Sequence, residues 1–365
     1  MPETTARAPH GPWVDVHAHP GRCFLAGLSP ADLLTQVLGA DACDASVAEM
    51  ARAAMAAVSF ATVADLRVLG FTGGGGVHAT RPFNDGEAYA DHRRQLRGLH
   101  DLASRHRLPI IRTGADIIAA HDAGLTGLFI TCEGADFVER HLDRLHESHA
   151  AGVRSITLLH YRPNEYGDLQ TEAPVHGGLT PSGRELVREM NQLGLLIDVA
   201  HATHETTLGV LEESSAPIML SHTHLNGGGR DHPRLVSLEH ARAVAAGGGL
   251  VGAWPAGVSS ATFEDFIDEI LRLVDAVGVD PVGIGTDMDA NYHLVMTGYG
   301  QFGVIEESLL ARGCEQLLVR CAITSGDELE RVGAGAGHSP GDRIPVVPGW
   351  EAAGAGAPRR GPDPG

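Results

Sequence analysis

No lysine occurs anywhere in the 365 residues; all 27 basic side chains are arginine. Schiff-base catalysis, a lysine-anchored pyridoxal phosphate, a Walker-type phosphate lysine and a carbamylated-lysine metal bridge are thereby excluded. The excess of alanine, glycine and arginine points to codon bias in a GC-rich genome as the cause. Cysteine is scarce too. The five present (Cys23, Cys43, Cys132, Cys314, Cys321) are an odd number without a close-spaced pair, which fits neither a disulfide framework nor a structural zinc knuckle. They read as reduced thiols. Long apolar runs are also missing: charged residues interrupt each one before the ~18 residues that a membrane-spanning helix needs. Residues 1–11 lack the basic-then-apolar order of a secretory signal. The expected location is therefore cytoplasmic, with no membrane as partner.

Acidic charge and histidine are what the chain has in excess. The formal net charge is −19 with histidine neutral, so a phosphate backbone would be repelled at long range and nucleic acid is not an expected partner. Hydrophobic residues make up 43% and charged ones 20%, the mixture of a soluble globular protein with one large or two ordinary domains. Short β-type runs alternate with longer helical patterns, which predicts β/α units around a parallel sheet. Strands are expected at 13–16, 57–61, 128–131, 155–159, 195–199, 218–220, 250–253 and 282–285, with 109–112 ambiguous and one weaker run expected outside the sheet. Helices are expected between them, for example at 182–193 and 263–277, where apolar residues recur every three to four positions. Eight strands are the number of an α/β, (β/α)8 TIM barrel. We expect residues 1–332 to form it and residues 333–365, rich in Gly, Ala and Pro, to form a flexible C-terminal tail.

The chemistry lies at the C-terminal end of each strand. The first run leads into His17-Ala18-His19, the third into Cys132-Glu133-Gly134, the fourth into His160, the fifth into Ala200-His201, the sixth into Ser221-His222 and the eighth into Thr286-Asp287. In a TIM barrel that edge is the catalytic face, so these side chains converge on one pocket. Imidazoles and carboxylates together suit borderline divalent cations such as zinc. His17 and His19, two apart on a strand, point the same way and can grip one ion. Glu133, with two oxygens, could bridge a pair of ions, with Asp287 on the first and His201 and His222 on the second. With 21 histidines in the chain, a lone His-x-His would carry little weight. Six suitable strand ends of eight carry much more. His204 and His224 come after their partners on turns and read as secondary or solvent-facing. Cys132, adjacent to Glu133 on a strand, should point away from the pocket.

These residues, with the stretches 152–160 (Gly-Val-Arg-Ser-Ile-Thr-Leu-Leu-His), 178–191, 195–198, 221–222, Asp231-His232-Pro233-Arg234 and 283–289 (Gly-Ile-Gly-Thr-Asp-Met-Asp), make the chain resemble the membrane dipeptidase (renal dipeptidase) family of metal-dependent hydrolases in the amidohydrolase superfamily. The similarity runs from about Asp15 to Val332. It implies a binuclear zinc barrel that cleaves the amide bond of dipeptides by attack of hydroxide generated at the metal. Carried over, His17, His19, Glu133 and Asp287 would hold one ion, and Glu133, His201 and His222 the other. His160 would bind substrate and transition state, and Asp287 would carry the proton between nucleophile and leaving amine. Arg234 would receive the substrate carboxylate, with Arg230 as the alternative because the preceding loop is one residue longer; an ordinary surface ion pair of Arg234 with Asp231 is the plainer reading. The family usually has His-x-Asp where His17-Ala18-His19 stands, and Tyr161-Arg162-Pro163 replaces the polar residues common after its histidine; its Gly-Gly-Asn-Phe segment is replaced by residues 322–326. Competing readings are another amidohydrolase reaction (a deaminase, lactonase or biosynthetic amidase) and a non-catalytic metal-binding barrel. Oligomeric state is left open, a homodimer being a form that many such barrels take.

Overall fold

The computed structural model describes residues 13–71, 76–227, 229, 231–290, 293 and 295–314. Arg230, Cys321, residues 322–326 and the tail expected from 333 lie outside the described residues. The strands are β1 (Trp13–Asp15), β2 (Met55–Val63), β3 (Leu69–Phe71), β4 (Val77–Ala79), β5 (Gly127–Glu133), β6 (Val153–Thr157), β7 (Leu196–Asp198), β8 (Met219–Thr223), β9 (Leu250–Ala253) and β10 (Val282–Ile284). All eight expected strands occur. They form one sheet in the order β1-β2-β5-β6-β7-β8-β9-β10, and the pairings from β1–β2 to β10–β9 are parallel. The Val16 amide donates to the Ile284 carbonyl at 3.0 Å and the Asp287 amide to that of His17 at 2.8 Å, so the last strand returns to the first and the sheet closes into a (β/α)8 barrel. The ambiguous ninth run is not a strand; Ile110 makes one isolated bridge to Leu128. The antiparallel hairpin β3–β4 is an insertion that the strand pattern did not announce.

Helices fill the outer layer because their apolar stripes have only the sheet to cover them. The helix α1 (Pro181–Leu193) begins where Thr180 accepts from the Gly183 amide, with Pro181 in its first turn, and ends at Gly194 with φ 69°, a left-handed cap that glycine adopts at little cost. Its Leu186, Val187 and Met190 are buried. The helix α2 (Phe263–Val277) starts in a Thr262/Asp265 capping box and buries Phe266, Ile267, Ile270 and Leu273, the face that spacings of three and four predict. Among the described residues, no helix is long and apolar enough to cross a membrane.

Inside the barrel, the layer beneath the C-terminal rim is polar. Asp198 is 1% exposed and accepts four hydrogen bonds: from the amides of Ala200 and Ser221, both at 3.0 Å, and from the hydroxyls of Thr157 and Ser221, both at 2.7 Å. Asp15, fully buried, accepts from the Thr286 amide at 3.0 Å and hydroxyl at 2.5 Å; burial pushes its carboxyl up to about 7. Glycine is required where the strands crowd together: a Cβ on Gly252 would meet the Ser221 carbonyl oxygen at 1.7 Å, and one on Gly285 at 2.0 Å. These close approaches set the position of His222, the next residue along. Asp198→Ala should cost about 3 kcal/mol, because it strands buried donors without acceptors. A urea midpoint unchanged from wild type would contradict the role given to that carboxylate.

Candidate functional site

Six of the residues named from the sequence do converge on one pocket at the C-terminal rim, and His160 joins them. Glu133, at the end of β5, is the hub. Its Oε1 lies 2.9 Å from His201 Nε2, 3.5 Å from His17 Nε2 and 3.6 Å from His222 Nε2, while Oε2 lies 3.2 Å from both His19 Nε2 and His160 Nε2. Asp287 Oδ1 stands 3.4 Å from His19 Nε2 and 3.9 Å from His17 Nε2. Three overlapping triads of donor atoms result: His17, Glu133 and His222; His17, His19 and Asp287; Glu133, His160 and His201. The division expected from sequence, with His17 and His19 on one side of Glu133 and His201 and His222 on the other, is therefore not clean. His17 stacks on His222 with ring centroids 4.2 Å apart and belongs to both neighbourhoods.

The backbone takes unusual turns to aim these groups. His201 comes after β7 with φ 67° and Asp287 after β10 with φ 55°, left-handed conformations that non-glycine residues adopt rarely and mostly at functional sites. Hydrogen bonds then fix the imidazoles. His19 Nδ1 donates to the Ala61 carbonyl at 3.0 Å, and His222 Nδ1 contacts Ser221 Oγ at 2.9 Å, which itself donates to Asp198. Both arrangements leave Nε2 facing Glu133, the geometry by which outer partners orient metal-ligating histidines.

The electrostatics are those of a cation site. Nε2 of His17 and of His19 are buried with no hydrogen-bond partner, although carboxylate oxygens surround both. Burial by itself would lower His19, but the carboxylates of Asp287 and Glu133 beside its Nε2 outweigh it and push the imidazole up to about 10. Its Nε2 is thus set to share a positive charge with two carboxylates, as a proton or as a metal ion. Burial would raise Glu133, yet the imidazoles of His160 and His17 hold it well below the usual carboxylate range. Burial and the nearby Arg234 keep His201 neutral, and burial, His17 and Arg234 do the same for His222. Neutral imidazoles around ionised carboxylates are the form in which these side chains bind metal. The donor set, four imidazoles and two carboxylates, fits borderline divalent ions.

His160, just beyond β6, lies with Nδ1 2.6 Å from Asp65 Oδ1. Arg234 is 2% exposed, which rules out a surface ion pair with Asp231. Its Nη1 donates to Gln170 Oε1 at 2.6 Å and its Nη2 to His222 Nε2 at 2.9 Å, and its guanidinium lies 5.4 Å above the Trp254 ring. His224 is buried near Glu269, at 3.8 Å, and His204 stacks on His240; neither is drawn into the pocket. Cys132 faces outward against His92, 3.6 Å away, and burial pushes its thiol well up.

Sequence reasoning missed Asp65, Gln170 and Trp254, and gave Tyr161 no role. Asp65 had a signal. With β2 read only to residue 61, the carboxylate two residues past its true end at Val63 was not recognised as a rim group, although its strand is one of the eight. Trp254 comes directly after β9, so each of the eight barrel strands is followed by a group at the rim. Gln170 sits in the loop after β6 and is carried to Arg234 because its backbone N–H donates to the His201 carbonyl at 2.7 Å; no local pattern foretells that.

Fold and site together define a closed β/α barrel with a candidate metal centre at the C-terminal rim, where four imidazoles and two carboxylates form groups that could hold an ion. A sequence model of the membrane dipeptidase family (peptidase family M19) matches residues 44–324, and the chain belongs to that family. Among curated proteins it is 30% identical over 231 residues to dipeptidase verJ of Clonostachys rogersoniana, covering 60% of this chain and 58% of that one. It is 30% identical over 191 residues to dipeptidase tcpJ of Claviceps purpurea, covering 50% and 44%. The chain thus spans about half the length of the curated relatives it matches. Among solved structures it shares its fold with a dipeptidase described as an M19 metallopeptidase (TM-score 0.69, 22% identity, 84% of this chain and 94% of that one). It also shares it with a Rhodobacter sphaeroides metallopeptidase liganded with a phosphinate mimic of L-Ala-D-Ala (TM-score 0.67, 22% identity, 83% and 93%).

Proposed function

We propose that the protein is a metal-dependent hydrolase that cleaves the amide bond of dipeptides or close relatives, using two divalent ions, with Zn2+ the expected metal. The observation that carries this reading is Glu133, whose two oxygens face separate sets of buried imidazoles while His17 and His19 offer partnerless Nε2 atoms. His17, His19, Glu133, His201, His222 and Asp287 would hold the ions. A bound pair supplies Lewis acidity, lowering the pKa of a water and polarising the amide carbonyl. The protein's own groups do the rest. Asp287 is the more open of the two carboxylates, with 12% of its side chain exposed against 3% for Glu133, so it is placed to accept a proton from the attacking water and deliver it to the departing amine. Burial would lower His160, but Asp65 and Glu133 outweigh it and raise the imidazole, so that with Nδ1 donating to Asp65 the imidazolium still has Nε2–H to offer the developing oxyanion. Arg234, with its guanidinium 5.4 Å from the centre of the Trp254 ring, offers the planar fork that a substrate carboxylate prefers.

Metal analysis of purified protein should give about two transition-metal ions per chain, and a screen of L,L and L,D dipeptides after loading with Zn2+, Co2+ or Mn2+ should find turnover that a chelator removes. An active protein without metal would overturn the reading. We also place the protein in the cytoplasm, a reading supported by Cys23, Cys43, Cys132 and Cys314, all free thiols.

A further inference from the structure

We propose that Arg162 is a positioning residue for His160: its ion pair with Asp136 ties the loop after β6 to the turn after β5 and so keeps the His160 imidazole on Asp65. This rests on the dipeptidase reading and extends it to a residue outside the ligand set. The geometry starts at Gly134, the residue after Glu133. A Cβ there would lie 3.1 Å from Asp136 Oδ2, 3.2 Å from the Ala64 Cβ and 3.5 Å from the His160 Cβ. The segments that follow β2, β5 and β6 therefore crowd around one glycine. Asp65, fully buried, holds three consecutive residues of the β6 loop. Its Oδ1 accepts from His160 Nδ1 at 2.6 Å, and its Oδ2 from the amides of Tyr161 and Arg162 at 3.1 and 3.0 Å.

Those bonds last only while the loop keeps its path, and the Arg162 side chain fixes that path. Its Nη1 donates to Asp136 Oδ1 at 2.7 Å, and its guanidinium lies 5.1 Å from the centre of the Phe83 ring. The Asp136 side chain is wholly buried, its Oδ2 has no hydrogen-bond partner, and among the described residues its one ion pair is with Arg162. Burial, and after it the charge of Asp65, push the Asp136 carboxyl above the usual carboxylate range against the pull of the guanidinium. Two acids that feel each other thus share one arginine, which binds the first through its backbone and the second through its side chain. Removing one partner of a buried pair leaves the other uncompensated, and here it also releases the loop that begins at His160.

Arg162→Met removes the charge and keeps the stem. In the metal-loaded protein it should lower kcat for a cleaved dipeptide about 10- to 100-fold, the scale on which a misplaced group acts, with KM and metal content those of wild type. Arg162→Lys restores the cation and should recover most of the loss. In the His160→Gln background Arg162→Met should cost nothing further, because it acts through an imidazole already gone. An unchanged kcat, an equal loss in the His160→Gln background, or a raised KM with full kcat would overturn the proposal, the last because it makes Arg162 a substrate group. Proton NMR of the zinc-loaded protein reads the positioning without turnover. The His160 Nδ1–H on Asp65, identified by its absence from His160→Gln, should appear downfield of the backbone amides and be lost in Arg162→Met; its persistence there unchanged would equally overturn the proposal. If Arg162→Met does not fold, the double variant Arg162→Met/Asp136→Asn, which strands no charge but still lacks the tether, carries the same expectations. Failure of the wild type to cleave any dipeptide would count against the proposed activity alone, since the NMR signal still tests the tether.

Discussion

Glu133→Ala should leave a folded barrel that holds at most one ion tightly and has lost dipeptide turnover by on the order of 10^4-fold, the scale on which removing one member of a cooperating catalytic set acts. Glu133 is the only described carboxylate in contact distance of five imidazoles: His17, His19, His160, His201 and His222. Without it only Asp287, beside His17 and His19, is left as an anion among the proposed ligands, too little negative charge to hold two cations together in a buried site. Metal analysis and kcat are the two measurements. Two ions per chain in the variant would overturn the bridging role proposed for Glu133, whatever happened to activity.

Asp287→Asn is the second large effect and separates metal holding from proton transfer. The amide oxygen can still reach an ion, so metal content should stay near that of wild type, but the side chain can no longer take up a proton. We expect kcat to fall by about 10^2 to 10^4-fold, the usual worth of general acid–base catalysis, with KM little changed. A variant that keeps full kcat would move the proton-carrying role elsewhere, with His160 next in line because its Nε2 lies within 3.2 Å of Glu133. Loss of metal along with activity would instead make Asp287 chiefly a ligand.

The sequence by itself determined the barrel and most of its rim. Strands alternating with amphipathic helices allow one closed parallel architecture, and a strand's end is legible locally, so His17, His19, Glu133, His160, His201, His222 and Asp287 could be named from their places after β-type runs. The tertiary structure alone decided which nitrogen meets which oxygen. His17 shares ground with His222 because β1 closes the ring near β8 and β10, a contact between segments some 200 residues apart that no periodicity encodes. The same holds for Asp65 under His160, for Gln170 on Arg234 and for Tyr161 between two imidazoles. A side chain's type and strand position are dictated by its neighbours in the chain, whereas its hydrogen-bond partner depends on register, strand tilt and loop path, which are settled only when the sheet curls shut and the polar groups beneath its rim must all find partners.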